Sequence, residues 1–166
     1  VLVQDPARSL VGGGAAQVVG ELGAEVIKIE RPGEGDDTRG WGPPFARDPS
    51  GDDPGMSAYF LCANRGKKSV TIDMATAQGQ ALIRQLAAKC DVLIENFKVG
   101  GLAKYGLDYA SIKAINPGIV YCSITGFGQT GPRRDQPAYD FLIQAMGGLM
   151  SVTGERDGRP GGGPQK

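Results

Sequence analysis

Residues 69–96 read SVTIDMATAQGQALIRQLAAKCDVLIEN. The first five, SVTID, alternate with β-branched residues and read as a strand. Thr76 can cap the helix that follows over about 77–89, where Leu82, Ile83, Leu86 and Ala87 fall on one face. DVLIEN, 91–96, has an unbroken apolar centre, as in a strand covered on both sides of a parallel sheet. Strand, helix and strand at this spacing form a βαβ unit. Working outward, 1–5 and AEVIKIE (24–30) are strands around a helix over about 15–22, opened by Gly12-Gly13-Gly14 and closed by Gly23. On the other side, 98–105 and 109–115 read as short helices and IVYCSIT (119–125) as a strand. A helix over about 138–150 weakens at Gly147-Gly148. Strands alternating with helices predict an α/β protein: a Rossmann-like parallel sheet flanked by helices. Residues 31–55 form a long loop rich in Gly, Pro and Asp, with Trp41 and Phe45 inside it; a loop of this length has a function or lacks order.

Composition narrows the chemistry. The chain has 166 residues, 18 Lys+Arg against 18 Asp+Glu, and no His. Zero net charge argues against nucleic acid or an anionic membrane as the main partner. The absence of His removes histidine bases and ligands from this chain. Cys62, Cys90 and Cys122 are scattered and form no CxxC, which argues against zinc or a disulfide framework and fits a reducing, cytoplasmic setting. No metal site is expected, and no apolar run is long enough to span a bilayer. Glycine, 27 residues, is about twice its usual share of ~7% and follows no three-residue period. The abrupt ends, inside a strand and in a Gly-Pro loop, are expected of a fragment.

Ligands of open α/β sheets bind at the carboxyl ends of the strands. Those ends carry Gly12–Gly14, Glu30-Arg31, Asp73–Thr76, Asn96–Lys98 and Gly126–Gly128. Gly12-x-Gly14 with Glu30 suggests a dinucleotide site, but Gln17 stands at the third glycine position. The alternative is a tight turn with Glu30 solvated or paired to Arg31. Lys28, Arg31, Arg39, Arg65, Lys67, Lys68, Lys98 and Lys104 suggest a phosphorylated ligand as a group, although each singly is also a surface charge. The cysteines read as structural, no serine has a histidine partner, and Asp140 opens a helix, where it either serves the dipole or holds a polar ligand.

Longer strings carry a resemblance. LGAEVIKIERPGEGDDTRGWGPPF (22–45), SAYFLCANRGKKSVTIDM (57–74), DVLIENFKVGGLAKYGLDY (91–109), INPGIVYCSITGFGQTGP (115–132) and PAYDFLIQAMGGLMSVTGERDG (137–158) are similar, in order, to the N-terminal region of the family III CoA-transferases. That group holds formyl-CoA and carnitine CoA-transferases and α-methylacyl-CoA racemase. The resemblance implies that 1–166 is the N-terminal part of a large CoA-binding domain, followed elsewhere by a small domain and a C-terminal segment. It implies an interlocked homodimer, with acyl-CoA and a small carboxylic acid as substrates. No tightly bound cofactor is implied; coenzyme A is itself a substrate. Catalysis would run through an aspartyl anhydride and an aspartyl-CoA thioester. The nucleophilic aspartate is expected beyond Lys166, since neither Asp140, Glu155 nor Asp157 aligns with it. The isolated chain is therefore expected to be inactive and to expose an apolar face.

By position, the resemblance gives Arg31 the nucleotide phosphates and places Leu10 and Val11 near the thioester. It gives Ile72, Asp73, Met74 and Ala75 the adenine and ribose. Asn96, Phe97 and Lys98 take the pantetheine and diphosphate region. Lys104 stands where the family usually has Arg, keeping charge without the bidentate fork. Ala138, Tyr139 and Asp140 close over the pantetheine arm. The opening QDPARSLVGGG departs from the family's usual hydrophobic-Asp strand and Gly-Pro. Two other functions fit the same strings: a racemase-type isomerase acting α to the thioester, and a non-catalytic CoA-binding module.

Overall fold

The computed structural model describes residues 1–7, 10–47, 49–51 and 56–165. It divides into two compact units, Val1–Ile124 and Thr125–Lys166. Five strands form the sheet of the first unit: β1 (Leu2–Asp5), β2 (Glu25–Glu30), β3 (Lys68–Thr71), β4 (Val92–Glu95) and β5 (Val120–Ser123). Their order is β3-β2-β1-β4-β5 and every pairing is parallel. The helices are α1 (Leu10–Glu21), α2 (Ala58–Asn64), α3 (Ala77–Ala87) and α4 (Tyr109–Ile115). The expected Rossmann-like α/β architecture is what the chain adopts. Its order reverses between β1 and β4, the place where doubly wound sheets open a crevice.

Alternation along the strands sorts side chains to two cores. Val3, Val26 and Ile94 pack with Ala16 of α1. Ile29 and Leu93 pack with Ile83 and Ala87 of α3, Leu102, Leu107 and Ile112 of α4. Helix α1 lies against α2, and α3 against α4. Two helices start on side-chain caps: the hydroxyl of Ser57 accepts from Phe60 N–H at 3.0 Å, and that of Thr76 from Gly79 N–H at 3.0 Å. Each satisfies an amide that a helix N-terminus leaves without a partner.

The structure corrects the reading of the glycine run. Helix α1 begins at Leu10, so Gly12, Gly13 and Gly14 lie within it and do not form a loop before it. A Cβ on Gly12 would fall 2.3 Å from the Cβ of Ala7. Glycine is there to let the helix approach the end of β1. The residues expected as one helix over 98–105 form only a 3-10 turn, Ala103–Tyr105.

The second unit contains α5 (Asp140–Met146) and a 3-10 turn, Leu149–Ser151. The helix expected over 138–150 thus stops where Gly147 follows it. Phe141, Leu142, Met146 and Leu149 of this unit are all exposed.

Candidate functional site

The turns that leave β1 to β4 enclose a cleft of about 490 Å³. Pro6 follows β1 and Ile29, Glu30 and Arg31 end β2. Ile72, Asp73, Met74 and Ala75 follow β3, and Phe97 and Lys98 follow β4. Gly35, Asp36, Gly101, Lys104 and Tyr105 complete the lining. Apolar surface from Ile29, Ile72, Met74, Phe97 and Tyr105 is thus combined with three cations. Such a mixture suits a flat, partly apolar ligand that carries phosphate.

Of the residues singled out in the sequence, Arg31, Ile72, Asp73, Met74, Ala75, Phe97, Lys98 and Lys104 meet in this cleft. Asn96 does not line it; a Cβ on Gly12 would lie 3.8 Å from the Asn96 Cβ, which puts Asn96 beside α1. Leu10 and Val11 form the first turn of α1, and their side chains fall outside the described residues. Ala138, Tyr139 and Asp140 belong to the second unit, where Asp140 is the first residue of α5 and accepts from the Gln144 amide at 2.7 Å.

The eight basic residues separate into two sets. Lys28 is buried and reaches Asp36 at 2.7 Å, Asp5 at 3.8 Å and the carbonyl of Ala7 at 2.5 Å. Lys67 donates to Asp5 at 2.7 Å, Gly13 O at 2.7 Å and Asn64 Oδ1 at 3.0 Å. Burial draws the Lys67 pKa down, against the pull of Asp5. Burial would raise Asp36, but Lys28 and Thr38 outweigh it and hold the carboxyl low. Arg65 pairs with Glu21 and Lys68 with Glu25. Lys28 and Lys67 are thus committed to the interior, while Arg65 and Lys68 form exposed surface pairs away from the cleft. Arg31, Lys98 and Lys104 remain at the cleft, Arg31 in contact with Glu34 and Lys104 4.7 Å above the Tyr105 ring.

Glu30 is likewise committed. Its two oxygens meet Arg39 at 2.6 and 2.7 Å, the Ser69 hydroxyl at 2.6 Å and Asp36 N–H at 2.9 Å. Arg39 in turn stacks 3.9 Å over Phe60. These contacts leave no oxygen for a ribose, so the dinucleotide reading fails at both of its features. They also explain the long loop: ion pairs from Lys28 and Glu30 strap 36–39 across β2, and part of the strap becomes the cleft rim.

Burial tends to raise Glu30, but the bonds from Arg39, Ser69 and Asp36 prevail and bring its pKa to about 2, from 4.5. A depressed carboxylate contributes stability above its unfolded pKa and loses it as pH falls through the folded value. That contribution is on the order of 3 kcal/mol at neutral pH. Acid titration of Glu30→Gln should therefore show a flatter loss of stability between about pH 5 and 2 than the parent. Parallel curves would mean that Glu30 is not held this way.

The model of the family described as CoA-transferase family III matches residues 1–165. The chain belongs to this family. It is 52% identical over 160 residues to a succinate–glutarate CoA-transferase of Agrobacterium fabrum, covering 96% of this chain and 40% of that protein. It is 49% identical over 160 residues to a mouse succinyl-CoA:glutarate CoA-transferase, covering 96% and 35%. A solved CAIB/BAIF family protein from Brucella suis superposes with a TM-score of 0.88 at 55% identity, over 100% of this chain and 42% of that one. The chain thus spans roughly two fifths of the length of these relatives. Among its described residues no helix is long and apolar enough to cross a membrane.

The cleft also contains residues that sequence reading passed over. Pro6, Ile29, Gly35, Asp36, Gly101 and Tyr105 line it. Strand-end position is the signal that could have found Pro6 and Ile29. Nothing local marks Tyr105, which arrives through the 3-10 turn. Glu95, at the end of β4, carries no signal in the sequence beyond its place in a strand. It is 4% exposed, accepts from Phe97 N–H at 2.6 Å and from the Ser123 hydroxyl.

Proposed function

We propose that the protein of which this chain forms part moves CoA from an acyl-CoA to a carboxylic acid, and that this chain supplies the nucleotide end of the CoA site. The observation that carries the reading is the cleft at the strand ends, where Arg31, Lys98 and Lys104 surround an apolar floor in a member of CoA-transferase family III. In it, Ile72, Asp73, Met74 and Ala75 serve the adenine and ribose, Arg31 and Lys104 the phosphates, and Phe97 and Lys98 the diphosphate and start of pantetheine. Asn96 is assigned to the pantetheine and diphosphate region on the resemblance alone. Leu10, Val11, Ala138, Tyr139 and Asp140 are assigned to the thioester end and pantetheine arm on the resemblance alone. Relatives named for succinate, glutarate and oxalate point to dicarboxylic acids as acceptors.

The chemistry follows the family's covalent route. An aspartate carboxylate attacks the acyl-CoA thioester, giving a mixed anhydride and CoA thiolate. The thiolate attacks the aspartyl carbonyl, releasing the donor acid and leaving an aspartyl-CoA thioester. The acceptor carboxylate attacks that thioester, giving a second mixed anhydride and CoA thiolate; the thiolate then attacks the anhydride at the acceptor's acyl carbon, forming the acceptor's CoA thioester and expelling the aspartate carboxylate. In this reading the nucleophilic aspartate is supplied by a part of the protein outside residues 1–166. Full-length protein is a homodimer in this reading, working in the cytoplasm, and the 166-residue chain alone binds without turnover.

Succinyl-CoA offered with glutarate, oxalate and monocarboxylates tests this. Transfer to a dicarboxylate by the full reading frame, with CoA binding and no transfer by the 166-residue chain, is the expected result. Exchange of an α-hydrogen with solvent deuterium but no transfer would replace the transferase by an isomerase. Binding with neither activity in the full reading frame would leave a CoA-binding module.

A further inference from the structure

Glu95 is a buried acid, and among the described residues no cation pairs with it. It ends β4, beside the strand reversal. Both of its oxygens are occupied: Oε2 by Phe97 N–H at 2.6 Å and Oε1 by the hydroxyl of Ser123 on β5. Burial pushes its pKa up, and those two bonds only oppose the rise. A carboxyl buried in this way is costly, and an apolar residue of like volume would often be no less stable.

The geometry gives the acid a task. Its Oε2 clamps the amide two residues ahead, at the point where the chain leaves β4 and turns along the cleft. The next residue is Lys98, whose carbonyl accepts from Gly101 N–H at 2.7 Å. Ser123 braces the carboxyl from the neighbouring strand. The turn that presents Phe97 and Lys98 is therefore fixed at both ends, from the sheet by Glu95 and from ahead by Gly101. An exposed lysine has a flexible stem, so its backbone must be fixed before its ammonium can repeatedly meet a phosphate.

We propose that Glu95 is a positioning residue: it clamps the Phe97–Lys98 turn and through it holds Lys98 at the anionic part of the ligand. This rests on the reading of the cleft as a CoA site. It acts on binding and not on the acyl-transfer step.

The test is calorimetric titration of the full-length protein with CoA at about 50 and 200 mM salt, where screening differs. Lys98→Ala should bind about tenfold more weakly, with a shallower salt dependence. Glu95→Ala should give the same loss and the same shallower slope, and the double variant should be no weaker than Lys98→Ala within about twofold. Glu95→Gln should stay within about threefold of the parent, because its amide oxygen still accepts from Phe97 and its NH2 can donate to Ser123. Ser123→Ala, which removes the brace and keeps the acid, should show a weaker version of the same signature and serves if Glu95→Ala does not fold. Additive losses, an unchanged salt slope in Glu95→Ala, or unaltered binding in both Glu95→Ala and Ser123→Ala would overturn the proposal. A Lys98→Ala protein that binds CoA as the parent does would instead remove the CoA reading of the cleft, and this proposal with it.

Discussion

Lys28→Met should lower unfolding stability by roughly 3–5 kcal/mol, the usual effect of removing one partner from a buried ion pair. The side chains of Lys28 and Asp36 are each only 2% exposed. Without the ammonium, Asp36 keeps Thr38 N–H at 2.8 Å and the Thr38 hydroxyl at 2.6 Å, but no cation. Asp5 keeps Lys67, while the Ala7 carbonyl loses its 2.5 Å donor. Methionine fills the stem's volume, so the change isolates charge and hydrogen bonding from packing. Lys68→Met provides the contrast. Its pair with Glu25 is exposed, with Lys68 at 71%, and the same substitution there should cost no more than about 0.5 kcal/mol. Denaturant titration of both variants measures the difference. Equal losses would mean that the buried network contributes no more than a surface pair. The loss at Lys28 should also weaken CoA binding, because Asp36 belongs to the strap that lines the cleft.

Much of the frame is legible in the sequence because its causes are local. EVIKIE and VLIE have strand patterns that need no knowledge of their neighbours, and Thr76 sits where a cap belongs. Strand ends then mark the cleft, and eight of the fourteen candidate residues meet there. What could not be read locally is which charges are already committed. Lys28 and Lys98 are equally basic in the sequence, yet one is closed into the interior and the other lines the cleft. The difference lies in residues outside each local pattern: Asp36 reaches back from the following loop to Lys28, and Lys67 bonds to Asp5 across 62 positions. Glu30 shows the same limit. Its spacing from Gly12 matches a ribose ligand, while Arg39 and Ser69, invisible to that motif, have taken its oxygens. The glycine run failed for a different reason. A glycine needed for close packing and one needed for a phosphate turn look alike until Ala7 is seen 2.3 Å from where the Gly12 Cβ would be.

Gly79→Ala should destabilise the protein although helix propensity alone predicts a gain of about 1 kcal/mol. Gly79 lies in the first turn of α3 with no backbone conformation that requires glycine. Its constraint is space. A Cβ there would fall 1.9 Å from the carbonyl oxygen of Asp73 and 2.6 Å from its carbonyl carbon. Neither is the movable end of a side chain, so either the helix or the turn must shift. The Asp73 carbonyl is held by Thr76, through its hydroxyl at 2.9 Å and its N–H at 3.2 Å. The Asp73 carboxylate holds Ala75 N–H at 2.9 Å. Moving the carbonyl therefore strains the helix cap and the turn together. Overpacking of this kind costs roughly 1–3 kcal/mol, and loss of the cap adds about 1 kcal/mol. The turn is also one wall of the cleft, contributing Asp73, Met74 and Ala75. A methyl group outside the cleft should accordingly weaken CoA binding without touching the ligand. Gln78→Ala, one residue earlier on an exposed position, carries only the small propensity difference between Gln and Ala without the clash and should be neutral or slightly stabilising. Thermal denaturation and CoA titration of the two variants separate the effects. A stabilised Gly79→Ala protein with parental CoA affinity would show that the turn at 73–76 yields freely, and that the cleft wall is not fixed by the contact between Gly79 and Asp73.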